Sequence, residues 1–181
     1  MTTPLRVLYV CTANICRSAY ADVRSRSLVS ADAVAFASAG VWGFDRAPLE
    51  ELMAARAVER GADPSGFRSQ RLSPDLVAGS DLILTMARDH RTFILDDWPG
   101  AVTKTFTLSQ FADGLAALPD AAAGVHAIEA VRARRNPPRR DGDVADPYRQ
   151  GVAAAAACAA EIDRLLGVIL PRLAGPHLRP E

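Results

Sequence analysis

Lysine is almost missing from this chain: among 21 Lys and Arg residues, Lys104 is the only lysine. Asp and Glu also number 21, so the formal net charge is zero and no overall field recruits nucleic acid or a membrane surface. Three cysteines are too few for a disulfide scaffold and fit a reducing compartment. The three histidines, His90, His126 and His177, are too dispersed to suggest a metal ligand set. No apolar run reaches transmembrane length, and Met1-Thr2-Thr3-Pro4 lacks the basic stretch and apolar core of a secretion signal. The expected location is therefore cytoplasmic. What remains is a chain of 181 residues, 49% hydrophobic and 23% charged, enough for one domain with a proper core.

The most informative stretch is Leu5 to Ser18, LRVLYVCTANICRS. Val7-Leu8-Tyr9-Val10 reads as a buried strand ending at Cys11, and Arg17 opens a helix. A Cys and an Arg six apart on a strand-to-helix loop suggest a phosphate-binding nucleophile site. Thr12, Ala13, Asn14, Ile15 and Cys16 would turn their N–H groups inward as a nest for an anion, and the helix start adds its dipole and unpaired donors. Arg17 supplies a planar fork for two phosphate oxygens. The same positive field favours the thiolate of Cys11, its nucleophilic form.

Strand-like and helix-like segments then alternate. Helices are expected over Arg17–Val29, Pro48–Arg60, Ala87–Asp96, Leu108–Leu118 and about Arg149–Leu170, with a short helical turn around Pro74–Ala78. Strands are expected over Val34–Ala39, Asp81–Met86 and Val102–Thr107. Alternation of this kind predicts a parallel sheet covered on both faces, with ligands beyond the carboxyl ends of the strands. Pro119 to Asp143 is the irregular part: Ala- and Arg-rich, with Ala121–Arg135 as an extra helix. Its arginines are either a basic arm steering anionic substrates or a solvated loop.

Cleaving a phosphate monoester also needs a proton donor for the leaving oxygen. Asp146, in Asp146-Pro147-Tyr148, is the candidate, because Pro147 biases it toward an extended backbone on an exposed loop. Asp141 and Asp143 are rivals without a following proline.

Cys11-Thr12-Ala13-Asn14-Ile15-Cys16-Arg17-Ser18 resembles the C-x5-R-S signature of the low-molecular-weight protein tyrosine phosphatases. The likeness extends through Ser38-Ala39-Gly40, Gly66-Phe67-Arg68-Ser69, Asp81–Met86, Thr105–Phe111 and Asp146-Pro147-Tyr148. It implies a single three-layer α/β domain over 1–181 with a four-stranded, flavodoxin-like parallel sheet, an Arg-rich insertion at about 119–143 and a flexible tail from about 174. Cys11 is then the nucleophile, Arg17 the phosphate clamp and Asp146 the general acid, with neither metal nor other cofactor. Ser18 donates to the thiolate, and Asn14 takes a left-handed backbone. Trp42 and Tyr148 become walls of a phosphotyrosine slot. Ile15 stands where the tyrosine-directed members carry Ile and the phosphoarginine phosphatases carry Thr, so the implied partners are phosphotyrosine proteins.

Some positions depart from the family pattern. Ala13 and Ala19 replace a usual Gly and Pro, Phe67 stands at a frequent His, and Arg149 replaces a second aromatic. At positive φ, Ala13 would carry a left-handed cost of ~1–2 kcal/mol, the warning sign for a catalytically weak phospho-ligand binder on the same fold. An arsenate reductase is the third reading. It needs a resolving cysteine pair, and beyond Cys16 only Cys158 remains. Cys16 is also placed to form a disulfide shielding Cys11.

Overall fold

The computed structural model of the protein describes residues 3–119, 122–134 and 136–179. Ala121 and Arg135, the ends of the expected extra helix, lie outside them, as do Met1, Thr2 and the last two residues. Four parallel strands, β1 (Leu5–Cys11), β2 (Val34–Gly40), β3 (Leu82–Thr85) and β4 (Thr105–Thr107), form one sheet in the order β2-β1-β3-β4. Among the described residues seven α-helices connect and cover them: α1 (Arg17–Leu28), α2 (Glu51–Glu59), α3 (Pro74–Gly79), α4 (Arg88–Asp97), α5 (Leu108–Ala116), α6 (Gly124–Arg134) and α7 (Val152–Ala174). Period-two alternation divides the core. Val7, Tyr9, Leu82 and Leu84 pack with α1, α2 and α5–α7, whereas Leu8, Val10 and Ile83 pack with Val77 of α3 and Ile94 of α4. The chain leaves β1 for β2 on one side and returns to β3 on the other. The loop after Cys11 therefore opens at the switch point beyond the strand ends.

Element edges move where local chemistry outweighs the pattern. Helix α2 starts three residues after Pro48, because the Glu50 carboxylate caps it by accepting from the Met53 N–H. β4 is shorter than expected, since Pro99–Thr103 forms a 3-10 turn that buries Ala101. Helix α7 begins only after Arg149 and Gly151, both at positive φ (59° and 85°), and runs through Pro171 because Leu173 and Ala174 continue its buried stripe. The last described residues lie against the end of α1: Leu178 bridges Val29, and the Arg179 N–H donates to the Leu28 carbonyl at 2.7 Å.

The Arg-rich segment is fastened rather than free. Helix α6 buries Ala127, Ile128 and Val131 beside α5 and α7. Gly114 lets it approach, because a Cβ there would sit 2.7 Å from Val131 Cγ1. Arg134 donates to the Ala117 carbonyl, Arg139 pairs with Asp113 at 3.0 Å, and Ser109 Oγ donates to the Gly142 carbonyl. Among the described residues no helix is long and apolar enough to cross a membrane.

Candidate active site

β1 delivers Cys11 to the sheet edge, and five loop residues turn the chain into α1. The turn depends on Asn14, whose φ of 55° is left-handed. Its short amide tolerates that conformation and is bonded at both ends. Oδ1 accepts from the Gln70 N–H at 2.9 Å, and Nδ2 donates to Ser18 Oγ at 2.9 Å. One lone pair of Ser18 is thereby taken. Ser18 Oγ lies 2.9 Å from Cys11 Sγ and 3.5 Å from the Ala39 carbonyl. Asn14 thus turns the loop and holds the Ser18 hydroxyl beside the Cys11 sulfur.

The cradle lies against a second backbone. The Val41 and Trp42 N–H groups donate to the Cys11 and Thr12 carbonyls, each at 2.9 Å. Gly40 allows this approach: a Cβ there would lie 2.7 Å from Thr12 O and 2.9 Å from Asn14 N. Backbone atoms cannot yield as a side chain does. Gly40→Ala should displace the loop and lower kcat/KM for an aryl phosphate by about 10–100-fold, since small misplacements of a reacting group are costly. Steady-state kinetics on the folded variant checks it, and full activity would show that the loop can shift without penalty.

Ala13 is not among the non-glycine residues with positive φ, which in the described residues are Asn14, Arg46 and Arg149. Its methyl therefore carries no left-handed strain, and the warning sign read into that position disappears.

Helix α1 starts with Cys16 as N-cap and no side-chain capping bond, so its first-turn donors keep their capacity for an anion. Arg17 is buried at 6% exposure. Its Nη1 donates to the Val144 carbonyl at 3.2 Å, and its Nη2 to Thr12 Oγ1 at 3.3 Å and Asp146 Oδ2 at 2.7 Å. Nε has no partner. A buried guanidinium N–H without an acceptor is costly, and an oxyanion in the cradle would satisfy it.

Asp146 is held opposite. Its Oδ1 accepts from the Tyr148 N–H at 3.2 Å, and its loop is pinned by the Val144 N–H to the Met86 carbonyl at 2.8 Å. The rivals are otherwise disposed: Asp143 accepts from the Arg88 N–H at 2.9 Å, and the Asp141 side chain is 85% exposed. Cys11, Thr12, Ala13, Ile15, Cys16, Arg17, Asp146 and Tyr148 line one pocket of about 210 Å³ together with Phe44. Trp42 is not part of it. Trp42 turns outward, 65% exposed, with its ring edge-on to Phe93 of α4 at 5.5 Å. Phe44, two residues on, supplies the wall instead.

His90 was absent from the sequence-derived site. It lies on α4, 6% exposed, with Nε2 at 2.9 Å from Thr12 Oγ1. Burial first, then the Arg17 charge, lower its pKa to about 4. Burial, helped by Glu50, pushes the Cys16 thiol up to about 12, which keeps it protonated and slows any attack on an oxidised Cys11. Burial likewise raises Cys158 to about 12 on the core face of α7, a poor setting for the resolving thiol of an arsenate reductase. All three cysteines are free and buried.

A thiol, a guanidinium beside a loop of backbone donors, and a carboxylate share one pocket, a set that could carry cysteine-dependent phosphoester chemistry. The family model described as "Low molecular weight phosphotyrosine protein phosphatase" matches residues 6–134, well over half the chain, and the chain belongs to that family of cysteine-dependent hydrolases. Asp146 lies beyond the matched stretch. The chain is 29% identical over 172 residues to a protein-arginine-phosphatase of Geobacillus stearothermophilus, covering 94% of this chain and 97% of that protein. It is 33% identical over 106 residues to a low molecular weight protein-tyrosine-phosphatase of Acinetobacter johnsonii, covering 58% of this chain and 72% of the relative. The solved arginine phosphatase from Geobacillus stearothermophilus superposes with a TM-score of 0.74 at 27% identity, covering 94% and 93% of the two chains.

Proposed function

We propose that this protein removes phosphate from phosphotyrosine side chains, and from small aryl phosphates, through a phosphocysteine intermediate. The reading is carried by the one pocket of about 210 Å³ that gathers Cys11, Arg17 and Asp146. Cys11 thiolate attacks phosphorus in line, and an S–P bond forms as the aryl O–P bond breaks. Asp146 in its acid form gives its proton to the departing phenol oxygen. Arg17 and the N–H groups of loop and α1 hold the equatorial oxygens, where charge spreads in the transition state. Asp146, now a carboxylate, takes a proton from a water that attacks phosphorus. The S–P bond breaks, phosphate leaves, and the thiolate is restored. A reducing, cytoplasmic setting suits a thiolate that must stay unoxidised.

Ile15 on the pocket wall supports an aromatic substrate, because its methyl groups pack on a phenyl ring and crowd a guanidinium. The Geobacillus relative supports phosphoarginine as the second reading. Paired peptides carrying phosphotyrosine or phosphoarginine separate the two. A kcat/KM at least about 10-fold higher for phosphotyrosine is expected, the scale that apolar pocket contacts supply. The opposite preference would transfer the chain to the arginine class.

A further inference from the structure

We infer that His90 is a positioning residue for this reaction: through Thr12 it fixes the orientation of Arg17, and with it the grip on the substrate's phosphate. The inference rests on the phosphatase reading and adds to it a residue from α4, on the opposite wall of the switch point. Thr12 Oγ1 is the joint. It accepts from Arg17 Nη2 at 3.3 Å and lies 2.9 Å from His90 Nε2, so one hydroxyl ties the imidazole to the guanidinium, and its second lone pair and its hydrogen let it serve either ring tautomer. Burial and the Arg17 charge favour the neutral ring, against the opposing charges of Asp89, Asp143 and Asp146.

Packing alone does not account for an imidazole at this place. His90 Nδ1 is buried without a partner, and among the described residues the contact to Thr12 is the ring's one polar tie. An apolar side chain would fill α4's inner face without that unpaired nitrogen. The compensating gain lies in what Thr12 holds. Arg17 grips with a rigid planar fork, so rotation about its stem moves the unpaired Nε and the Nη2 together. A Thr12 hydroxyl fixed from behind by His90 leaves the fork one orientation. A Thr12 free to change rotamer leaves it several.

The test compares His90→Gln, His90→Asn and His90→Leu with the wild type. The glutamine amide reaches about as far as Nε2, whereas the asparagine amide reaches only the level of Nδ1. Melting temperature, inorganic phosphate affinity by calorimetry, and kcat and KM for an aryl phosphate are measured for each. The Asn and Leu variants should bind phosphate about 3–10-fold more weakly and lose about 10–100-fold in kcat/KM, as a misaligned clamp does. The Gln variant should stay within about threefold of wild type. In a Thr12→Val background His90→Leu should add almost nothing, because coupled residues are not additive. Folded Asn and Leu variants with wild-type affinity and turnover overturn the inference. So does a Gln variant no better than Asn, or losses that simply add in the Thr12→Val background. A wild type that turns over no aryl phosphate would sink the phosphatase reading, while phosphate affinity across the same variants would still decide the role of His90.

Discussion

Cys11→Ser is expected to abolish turnover of aryl phosphates, by ~10⁴-fold or more in kcat, while leaving inorganic phosphate binding within a few-fold of wild type. A loss of that size corresponds to about 5.4 kcal/mol of transition-state stabilisation. It is large because the route depends on forming and breaking a bond to sulfur, and the remaining groups cannot substitute for the nucleophile. A serine hydroxyl at this position is a far weaker nucleophile, and its contact with Ser18, which now lies 2.9 Å from the Cys11 sulfur, would join two neutral hydroxyls. The cradle is untouched: Asn14, Arg17 and the uncapped start of α1 keep their geometry, so the anion still finds its donors. Steady-state hydrolysis beside phosphate calorimetry measures both halves. Residual turnover within tenfold of wild type would mean that water attacks phosphorus directly and that no phosphocysteine forms. Loss of phosphate binding along with turnover would instead point to a collapsed loop.

How much of this was legible in the chain depends on how far apart the cooperating residues lie. Cys11, Asn14, Arg17 and Ser18 are local, and strand, loop and helix follow one another without a break, so the order of the chain brings the thiol and the guanidinium to one pocket. The left-handed φ of Asn14 was legible for the same reason. The second wall was not. Gln70 reaches the loop through its backbone N–H, and Val144 through its carbonyl, so neither contact leaves a side-chain signature. His90 looked like an isolated histidine, because nothing in sequence says which face of α4 turns toward the end of β1. Trp42, which the family likeness implies as a slot wall, instead turns outward with its ring edge-on to Phe93, and Phe44 lines the pocket. The Arg-rich stretch reads as free charge until its buried face appears. Ala127, Ile128 and Val131 are the residues α6 buries among apolar neighbours and arginines, and the notch at Gly114 shows what they pack against.

Asp146→Ala should split binding from chemistry in the opposite direction to Cys11→Ser. In the free protein the Asp146 carboxylate lies on Arg17 Nη2 at 2.7 Å, so the proposed general acid occupies a donor that a substrate oxygen would use. The pair is not a strong lock. The Asp146 side chain is 50% exposed, and ion pairs screened to that extent are worth ~0.5–1 kcal/mol. Removing the carboxylate should therefore tighten inorganic phosphate binding by only about two- to fivefold. The chemical step should suffer far more. General acid catalysis contributes typically ~10²–10⁴-fold, and the loss scales with how badly the leaving oxygen needs a proton. Hydrolysis of phenyl phosphate or a phosphotyrosine peptide should fall by ~10²–10³-fold, and that of a nitrophenyl ester, whose phenolate leaves readily, by much less. The steepened dependence on leaving-group pKa is the diagnostic, because damage to the cradle would slow all substrates alike. Asp146→Asn sharpens the distinction: it keeps an acceptor for the Tyr148 N–H but has no proton to give, so it should share the leaving-group dependence of the Ala variant. A uniform loss across leaving groups would move the general acid elsewhere. Asp143 is a weak successor, since its carboxylate is already engaged by the Arg88 N–H at 2.9 Å. An unsplit result would accordingly favour proton delivery by water over any second carboxylate in the pocket.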